Sequence, residues 1–509
     1  MGKLLHNVLE QNAGKNPDLP FINDQSVQIH YRDACKIAYL WARALVASGV
    51  CIGDRVAVLS RNSPEYILMY FAASLAGATL VPINIRLSQE ELEYILQDSE
   101  PRIVFADSAL YERLDRIRDK LGFVSKWIIL DRQCNGFPGW IAIKDWAGSL
   151  DLSIDLPRCD ENTDILQIYT SATTGFPKGV IITHRALLAN IDQISSVLQL
   201  ASGDRTLVVA PLFHAGVVPG ALVPISLSST LIVRNRFDPE DVVNTLYKCN
   251  IAYILMVPTM IRACLGIIDH FDTPSFPSLK FIYYGASPIN KELLKKALAK
   301  FGCGFIQSYG LTEATQAVTF LTPEDHILGL TDRPSLLRSA GKPAPWTTIR
   351  IVDFNGKEVP PHTPGEIIVR GPQLMRGYWK RPQDTLQVLR SGWLYTGDIG
   401  VIDEEGYLYV LDRVKDMIIS GGENVYSIVV ENAISQHPDV EEVAVIGMPH
   451  SYWGESVHAI VVLKPNVPAT FETAERIINF CRKHLASFEV PKSLEFVDHL
   501  PKKCKRKDS

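Results

Sequence analysis

Short apolar segments alternate with longer amphipathic segments along most of this chain. The clearest example is residues 53–86, GDRVAVLSRNSPEYILMYFAASLAGATLVPINIR. The run Val56–Leu59 predicts a strand, a helix with Pro64 in its first turn follows, and Thr79–Ile83 predicts a second strand. This order is a β-α-β unit, which implies parallel strands with helices covering the sheet.

The same alternation continues through the first four hundred or so residues, as expected for a large α/β domain. The further predicted strands are RIVFAD, KWIIL, TLVVAP, TLIV, AYILMVP and KFIYYGA. At the amino end, Leu4, Leu5, Val8 and Leu9 share one face of a predicted amphipathic helix. That segment lacks the apolar stretch of a signal peptide.

The pattern changes after residue 340. TIRIVDFNGKEVPPHTPGEIIVRG alternates apolar and polar positions around turn residues, which predicts antiparallel strands. The last hundred or so residues combine strands such as VEEVAVIGMPH with the helix TAERIINFCRKHLA. We therefore predict a large domain, residues 1–412, of parallel and mixed sheets covered by helices, and a small α+β domain, residues 413–509.

Composition narrows the possible classes of protein. The 509 residues are too many for one core, 47% are apolar, and the net charge of −5 gives no general attraction to nucleic acid. The nine cysteines include no CxxC pair, so neither a metal site nor a disulfide framework is expected. Scattered free thiols are typical of a reducing compartment, so a cytoplasmic location is expected. The longest apolar runs are interrupted, which favours buried elements over a transmembrane segment.

The stretch IYTSATTGFPKGV, residues 168–180, carries the most specific chemistry. A glycine-containing loop that combines backbone amides, several hydroxyl groups and one lysine amine is typical of an anion-binding site. It is not a Walker A loop, because Gly175 precedes the lysine by three and no hydroxyl follows it. A polar surface turn is the alternative. The groups concerned are Thr170, Ser171, Thr173, Thr174, Gly175 and Lys178.

This loop resembles the phosphate loop of the adenylate-forming superfamily, which includes acyl-CoA synthetases, peptide-synthetase adenylation domains and firefly luciferases. Six further signatures of that superfamily follow in order, so the resemblance covers essentially the whole chain. They are PLFHAG (211–216), YGASP (284–288), SYGLTEAT (308–315), GEIIVRGPQLMRGYWKRP (365–382), GWLYTGDIG (392–400) and DRVKDMIISGGENVY (412–426).

The resemblance implies a reaction between a carboxylate and the α-phosphorus of ATP, with Mg²⁺ bound. Positive charge and aligned donors are needed, because two anions must meet. The six loop groups named above would bind the β- and γ-phosphates, Thr312 the α-phosphate, and Glu313 the Mg²⁺ ion. Tyr309 and the backbone of Gly285, Ala286 and Ser287 would flank adenine.

Other roles implied by the resemblance concern ribose, CoA and domain movement. Asp398 would bind the ribose, and Arg413 would make a second contact, to ribose or to phosphate. The small domain would rotate about a hinge at Lys415, after which Ser420, Gly421 and Gly422 would line the pantetheine tunnel. His214 would stand where the acyl and thiol tunnels meet.

The chain departs from the superfamily pattern at three places. Ala172 replaces a common glycine, and Ser427 stands where proline is frequent. The end, LPKKCKRKDS, places Lys507 six residues after Pro501, where a catalytic lysine is expected, but arginine precedes it instead of glycine. Lys505 or Lys503 could take the catalytic role instead of Lys507. Alternatively, the segment is a solvated basic tail without a catalytic lysine.

The sequence thus predicts an AMP-forming acid–thiol ligase that makes an acyl-adenylate and passes the acyl group to CoA. The acid is expected to be a medium- or long-chain fatty acid or an aryl acid. Small residues after His214 favour a long chain, whereas Tyr283 and Tyr284 would shorten or flatten the pocket and favour an aryl acid. The alternatives are a carrier-protein-loading enzyme and an impaired relative that only binds nucleotide or acyl ligand. A homodimer and peripheral membrane contact by the basic tail are left open.

Overall fold

The computed structural model describes residues 3–24, 27–131, 137–148, 153–170, 176–216, 218–270, 275–286, 289, 291–414, 416–420, 423–450 and 452–500. The chain forms two compact units. The first comprises Met1–Ile349 and Val369–Leu394, and the second comprises Arg350–Ile368 and Tyr395–Ser509. The second unit therefore begins earlier than residue 413. A mobile domain that starts at residue 413, with its hinge at Lys415, stays a prediction.

The helices are α1 (Leu5–Lys15), α2 (Tyr31–Ala47), α3 (Pro64–Ala76), α4 (Gln89–Ser99), α5 (Tyr111–Asp115), α6 (Ile143–Gly148), α7 (His184–Ser195), α8 (Val223–Ser226), α9 (Pro239–Lys248), α10 (Pro258–Ile268), α11 (Lys291–Phe301), α12 (Pro323–Thr331), α13 (Pro382–Val388), α14 (Ser427–Ile434) and α15 (Phe471–His484). The strands up to residue 310 are β1 (Pro20–Asp24), β2 (Val27–His30), β3 (Arg55–Leu59), β4 (Thr79–Pro82), β5 (Ile103–Ala106), β6 (Lys126–Ile129), β7 (Ile141–Ala142), β8 (Asp164–Thr170), β9 (Lys178–Thr183), β10 (Arg205–Val208), β11 (Thr230–Val233), β12 (Ile251–Met256), β13 (Phe281–Gly285) and β14 (Gly304–Gly310). The later strands are β15 (Ala317–Leu321), β16 (Lys342–Pro343), β17 (Thr348–Val352), β18 (Gly365–Arg370), β19 (Gly377–Tyr378), β20 (Leu389–Arg390), β21 (Trp393–Ile402), β22 (Leu408–Arg413), β23 (Ile418–Ser420), β24 (Glu423–Val425), β25 (Val440–His450), β26 (Gly454–Leu463) and β27 (Ser493–Phe496).

Two large sheets carry the first unit. One has the strand order β16-β15-β14-β13-β12-β10-β11-β1-β2, and the other has the order β19-β9-β8-β4-β3-β5-β6-β7. The inner strands are parallel, as between β13 and β14 or β3 and β4, whereas the β8–β9 hairpin is antiparallel. The predicted α/β class with parallel and mixed sheets is therefore confirmed.

The predicted β-α-β unit is present as β3, α3 and β4. Ser63 caps α3, because its hydroxyl accepts a hydrogen bond from the backbone N–H of Tyr66, and Pro64 occupies the first turn. Gly77 ends the helix with a left-handed φ of 70°, which glycine adopts without a Cβ clash. Nearly all of α3 is buried, as expected for a helix apolar on every face.

Each large sheet buries its own apolar core. Residues of β12, β13, β14, α10 and α11 build one, including the fully buried Ile254, Ile282 and Phe305. Ala57, Val104 and Leu96 belong to the core beneath the second sheet. The predicted amphipathic helix is present as α1, which buries Leu5, Val8 and Leu9. Among the described residues, no helix combines the length and the apolarity that a bilayer crossing requires.

The second unit has an α+β organisation, as predicted. Strands β24, β23, β26 and β25 are neighbours in one sheet, and β27 pairs with β26. Helices α14 and α15 pack on this sheet around Val430, Val457 and Ile477. In a separate sheet, β21 pairs antiparallel with β22.

Candidate functional site

The predicted phosphate loop connects β8 to β9 in sequence, and these two strands are paired antiparallel. Thr170 ends β8 and stands opposite Lys178, the first residue of β9. The Thr170 hydroxyl lies 3.5 Å from the carbonyl oxygen of Lys178, at the outer limit of a hydrogen bond. The hairpin therefore fixes the two ends of the predicted loop beside each other. Ser171, Thr173, Thr174 and Gly175 lie outside the described residues.

The Lys178 side chain already has an anionic partner. Its Nζ lies 2.9 Å from Oδ2 of Asp384, on α13. The same nitrogen lies 5.3 Å from the ring centroid of Tyr378, within the range of a cation–π contact. Both side chains of the ion pair are about one third exposed, so the lysine remains accessible to a ligand from solvent.

Thr312 and Glu313 lie in a short 3-10 turn, Thr312–Ala314, directly after β14. The glycine that ends β14 is required there, because a Cβ on Gly310 would lie 1.4 Å from the carbonyl oxygen of Gln316. One carboxylate oxygen of Glu313, Oε1, accepts a hydrogen bond of 2.8 Å from the hydroxyl of Tyr378. Tyr378 thus contacts both Glu313 and Lys178.

The predicted adenine-flanking residues lie at the carboxyl ends of neighbouring parallel strands. Gly285 ends β13 and is in register with Ser308 on β14, one residue before Tyr309. A Cβ on Gly285 would lie 2.6 Å from the carbonyl oxygen of Ser308, so the close approach of the strands requires glycine. Ala286 is exposed and has a φ of 67°. Ligands of α/β sheets bind at such strand ends, and Ser287 lies outside the described residues.

His214 follows β10 in a short turn, where its backbone N–H donates to the carbonyl of Pro211. Its ring is tilted against Phe213, with the ring centroids 4.6 Å apart. The pKa of His214 is lowered by loss of water around the ring and then by the charge of Arg86. The gating role of His214 stays a prediction.

The predicted ribose residues are neighbours in the second unit. Asp398 on β21 is paired in register with Arg413 at the end of β22. The Arg413 Nε lies 3.4 Å from Oδ1 of Asp398. Asp398 is buried and Arg413 exposed, so the arginine covers a carboxylate that is held in place by its strand. The pairing of β21 with β22 therefore places the Asp398 carboxylate beside the Arg413 guanidinium group.

Of the predicted pantetheine residues, Ser420 ends β23 and is buried, in register with Gly454. Gly421, Gly422, the hinge Lys415 and the catalytic Lys507 lie outside the described residues. Their assigned roles therefore remain predictions.

The two tyrosines expected to shape the acyl pocket are buried on β13. Successive side chains of a strand point to opposite faces. Tyr284 belongs to the apolar core and its hydroxyl lies 2.8 Å from Nε2 of His326. The Tyr283 hydroxyl donates instead to Oε1 of Gln316, at 3.2 Å, close in sequence to Glu313. The two side chains therefore lie on opposite faces of the sheet, and the hydroxyl of Tyr284 also donates to Oε1 of Gln307, at 3.0 Å.

The residues present fit Mg²⁺. This ion is usually bound through one or two carboxylates together with the phosphates of a nucleotide. Glu313 supplies one hard oxygen donor on the turn beside β14, and Lys178 marks where phosphate charge would be balanced. Within the described ranges, no group of three or more His, Cys, Asp or Glu residues could hold a metal ion by itself.

Tyr378 and Asp384 are functional candidates that the sequence analysis did not single out. Both belong to the segment MRGYWKRPQDTLQV, residues 375–388, part of which was noted only as a superfamily signature. Their partners are distant in sequence, because β19 pairs antiparallel with β9 about two hundred residues earlier. A tyrosine between glycine and tryptophan in a strongly cationic stretch was the only available signal.

Comparison with known proteins agrees with this geometry. Residues 9–379 match the family model of AMP-binding enzymes, and residues 429–507 match that of the AMP-binding enzyme C-terminal domain. The chain is 34% identical to a fatty acid–[acyl-carrier-protein] ligase, ScoC, of Streptomyces coeruleorubidus, over 96% of this chain and 92% of the relative. It is also 34% identical to a feruloyl-CoA synthase of an Amycolatopsis species, over 96% and 94%.

A solved structure is similar over the same extent. The o-succinylbenzoate CoA synthetase of Bacillus subtilis, in complex with ATP and a magnesium ion, superimposes with a TM-score of 0.82 at 29% identity. The match covers 97% of this chain and 96% of that one. The chain belongs to the AMP-binding enzyme family. The more specific prediction, an AMP-forming acid–thiol ligase of the acyl-CoA synthetase branch, is also confirmed.

Proposed function

We propose that this enzyme activates a medium- or long-chain fatty acid or an aryl acid with ATP and transfers the acyl group to CoA. The carboxylate attacks the α-phosphorus of ATP, and pyrophosphate leaves. The CoA thiol then attacks the carbonyl carbon of the acyl-adenylate, and AMP leaves. The observation that carries the proposal is that one side chain, Tyr378, contacts both the cation Lys178 and the carboxylate Glu313.

A nucleoside triphosphate with its metal ion requires a cation and a carboxylate close to each other, as Lys178 and Glu313 are here. Lys178 would balance the charge of the β- and γ-phosphates together with the hydroxyls of the loop. Glu313 would hold Mg²⁺, which when bound reduces the repulsion between the incoming carboxylate and the phosphates. Thr312, one residue before Glu313, would donate to the α-phosphate, where negative charge develops during the transfer.

Ribose and CoA are assigned to the second unit. Asp398 would accept hydrogen bonds from both ribose hydroxyls, and Arg413 would replace part of its contact with Asp398 by a contact to the nucleotide. Ser420, Gly421 and Gly422 would line the path of pantetheine after rotation about Lys415. Lys507 would bridge the acid carboxylate and the α-phosphate during the first step.

The substrate class is supported by the relatives and by the wall around Tyr283. One relative acts on a fatty acid and another is named for an aryl acid, ferulate. The hydroxyl of Tyr283 donates to the side-chain amide oxygen of Gln316 at 3.2 Å, and Gln316 follows Glu313 by three residues. A polar pair at that position favours an acid with a ring or a polar group, whereas the small residues after His214 favour a long chain.

The decisive experiment is ATP–pyrophosphate exchange dependent on added acid, measured with fatty acids of several lengths and with aryl acids. Exchange with one class is the expected result and identifies the substrate. ATP binding without exchange for any acid would contradict the proposal and favour the impaired relative.

A second candidate activity is the loading of a carrier protein. The specific observation in its favour is the 34% identity with a ligase that transfers fatty acid to an acyl carrier protein. Free CoA and a phosphopantetheinylated carrier protein should be compared as acceptors with the same acid. Faster transfer to the carrier protein by a factor of about ten or more would replace the CoA proposal, since that corresponds to about 1.4 kcal/mol in the barrier.

A further inference from the structure

The segment that carries Tyr378 is fixed from both sides. Met375 N–H donates to the carbonyl oxygen of Glu313 at 2.8 Å. Trp379 N–H donates to the carbonyl oxygen of Gly179 at 2.7 Å, next to Lys178. Tyr378 N–H itself donates to the hydroxyl of Thr385 at 2.9 Å. The backbone of Tyr378 is therefore held against both the strand of Lys178 and the turn of Glu313.

The side chain of Tyr378 uses this fixed position to make two contacts. Its hydroxyl donates to Oε1 of Glu313 at 2.8 Å, and its ring lies 5.3 Å from Nζ of Lys178. The same side chain therefore donates a hydrogen bond to the carboxylate of Glu313 and faces the ammonium group of Lys178.

Phenol–carboxylate pairs are not in themselves a functional signal. Tyr39 on α2 donates to Glu10 on α1 in the same way, and Tyr169 donates to Asp98. The pair at Tyr378 differs in its position, because the carboxylate is the proposed Mg²⁺ ligand and the ring faces the proposed phosphate-binding lysine. Carboxylates that bind metals are commonly oriented by such outer hydrogen bonds, and losing one typically costs about 10–100-fold in metal affinity or activity.

We propose that Tyr378 is a positioning residue that orients Glu313 for the metal–nucleotide complex while its ring keeps Lys178 beside the same site. This inference rests on the proposed adenylation. It assigns Tyr378 no contact with substrate. The hydroxyl acts on Mg²⁺ only through the Glu313 carboxylate, so its loss should affect metal-dependent binding and leave metal-free nucleotide binding intact.

The test is a binding measurement with the full-length chain. Isothermal titration calorimetry with a non-hydrolysable α,β-methylene analogue of ATP should be done in EDTA and at a series of MgCl2 concentrations. The variants are Tyr378→Phe, which keeps the ring over Lys178, and Tyr39→Phe, which loses the same type of bond on α2. Mg²⁺-dependent pyrophosphate exchange is then measured on the same three proteins.

For Tyr378→Phe we expect unchanged analogue binding in EDTA and about tenfold more Mg²⁺ needed for the metal-dependent gain in affinity. Tyr39→Phe should match the wild type. An unchanged Mg²⁺ requirement in Tyr378→Phe would overturn the inference. Equal weakening with and without Mg²⁺ would also overturn it, because it would indicate a purely structural role. If the wild type binds no analogue at all, the adenylation proposal fails, and the role of Tyr378 with it.

Discussion

The ammonium group of Lys178 and the carboxylate of Asp384 form an ion pair of 2.9 Å. This contact has a consequence for ATP. A phosphate oxygen that binds Lys178 must compete with a carboxylate that the fold already supplies from α13. Asp384 is thus an internal counter-anion of Lys178, the proposed phosphate-binding lysine.

We predict that Asp384→Asn binds ATP more tightly, by a factor of up to about five. The gain is small because partly exposed ion pairs contribute only about 0–1 kcal/mol. Dissociation constants for ATP should be measured at low and high salt, since the difference should shrink as salt screens the pair. Asp269→Asn, which removes a partner of Lys296 elsewhere in the first unit, is the matched control. Weaker ATP binding by Asp384→Asn would contradict the competition.

Asp398→Ala should abolish measurable ATP binding. The carboxylate is buried and lies beside Arg413, so its loss would remove the two proposed charge-assisted contacts to ribose and would leave Arg413 without this partner. Together these contacts are expected to cost about 100-fold or more in affinity. The control is Asp439→Ala, which removes a carboxylate paired with Arg476 in the same unit. Normal ATP affinity in Asp398→Ala would exclude the ribose assignment.

Lys415→Pro should leave acid-dependent pyrophosphate exchange intact and block thioester formation. Proline fixes φ near −65° and therefore prevents the backbone rotation that a hinge needs. Lys415→Ala, which removes the side chain and leaves the backbone able to rotate, should retain both half-reactions. An equal loss of both half-reactions in Lys415→Pro would argue against a hinge at this residue.

Lys507→Ala should slow adenylation by about 100-fold or more, as expected when one charge-stabilising group is removed from an active site. Thioester formation from a supplied acyl-adenylate should survive. Lys503→Ala and Lys505→Ala are the controls, because they remove similar charges from the same tail. Should Lys505→Ala lose adenylation while Lys507→Ala retains it, the catalytic lysine has been assigned to the wrong position.

His184 is expected to make stability fall as the pH is lowered. Burial, and then the neighbouring His6, lower the pKa of His184 from 6.5 to about 3, while its Nδ1 accepts a hydrogen bond from Leu5 N–H. The unfolded chain therefore binds a proton between these two pKa values when the folded chain does not. Stability that is fully present above pH 6.5 is lost progressively toward pH 3, by up to about 1.4 kcal/mol per pH unit.

The measurement is the free energy of unfolding in denaturant near pH 7.5 and near pH 5. His184→Gln should lose less stability between the two pH values than the wild type, because glutamine does not titrate. His270→Gln, at an exposed histidine, should behave like the wild type. An identical pH dependence for His184→Gln and the wild type would show that another group controls the acid sensitivity.

The local elements were predictable because local signals agree with the tertiary structure. Pro64 and the cap preceding it set the start of α3, and the β-branched runs around it became β3 and β4 as expected. The Asp398 and Arg413 pairing was also within reach, because both residues belong to one antiparallel pair of strands close in sequence. Short-range signals were sufficient for α3, β3 and β4, whereas the roles of Asp398 and Arg413 were implied only by the resemblance to the superfamily.

The contacts of Tyr378 could not be predicted in this way. They depend on the pairing of Gly377 and Tyr378 with residues of β9, which no short-range rule specifies. Likewise, Tyr283 and Tyr284 look equivalent in sequence, and only the alternation of side chains on the folded strand separates them. The structure therefore adds two kinds of information to the sequence: which distant strands pair, and which face of a strand each side chain occupies.

The two large sheets end in very short strands. In the described part of the chain, three of their four outer strands, β19, β7 and β16, have only two residues each, and β16 contains a proline. An outer strand this short offers few unpaired backbone groups to another chain. We therefore expect the folded enzyme to resist edge-to-edge aggregation at high concentration, and any homodimer to form through side-chain surfaces rather than by extending a sheet from one copy into the next.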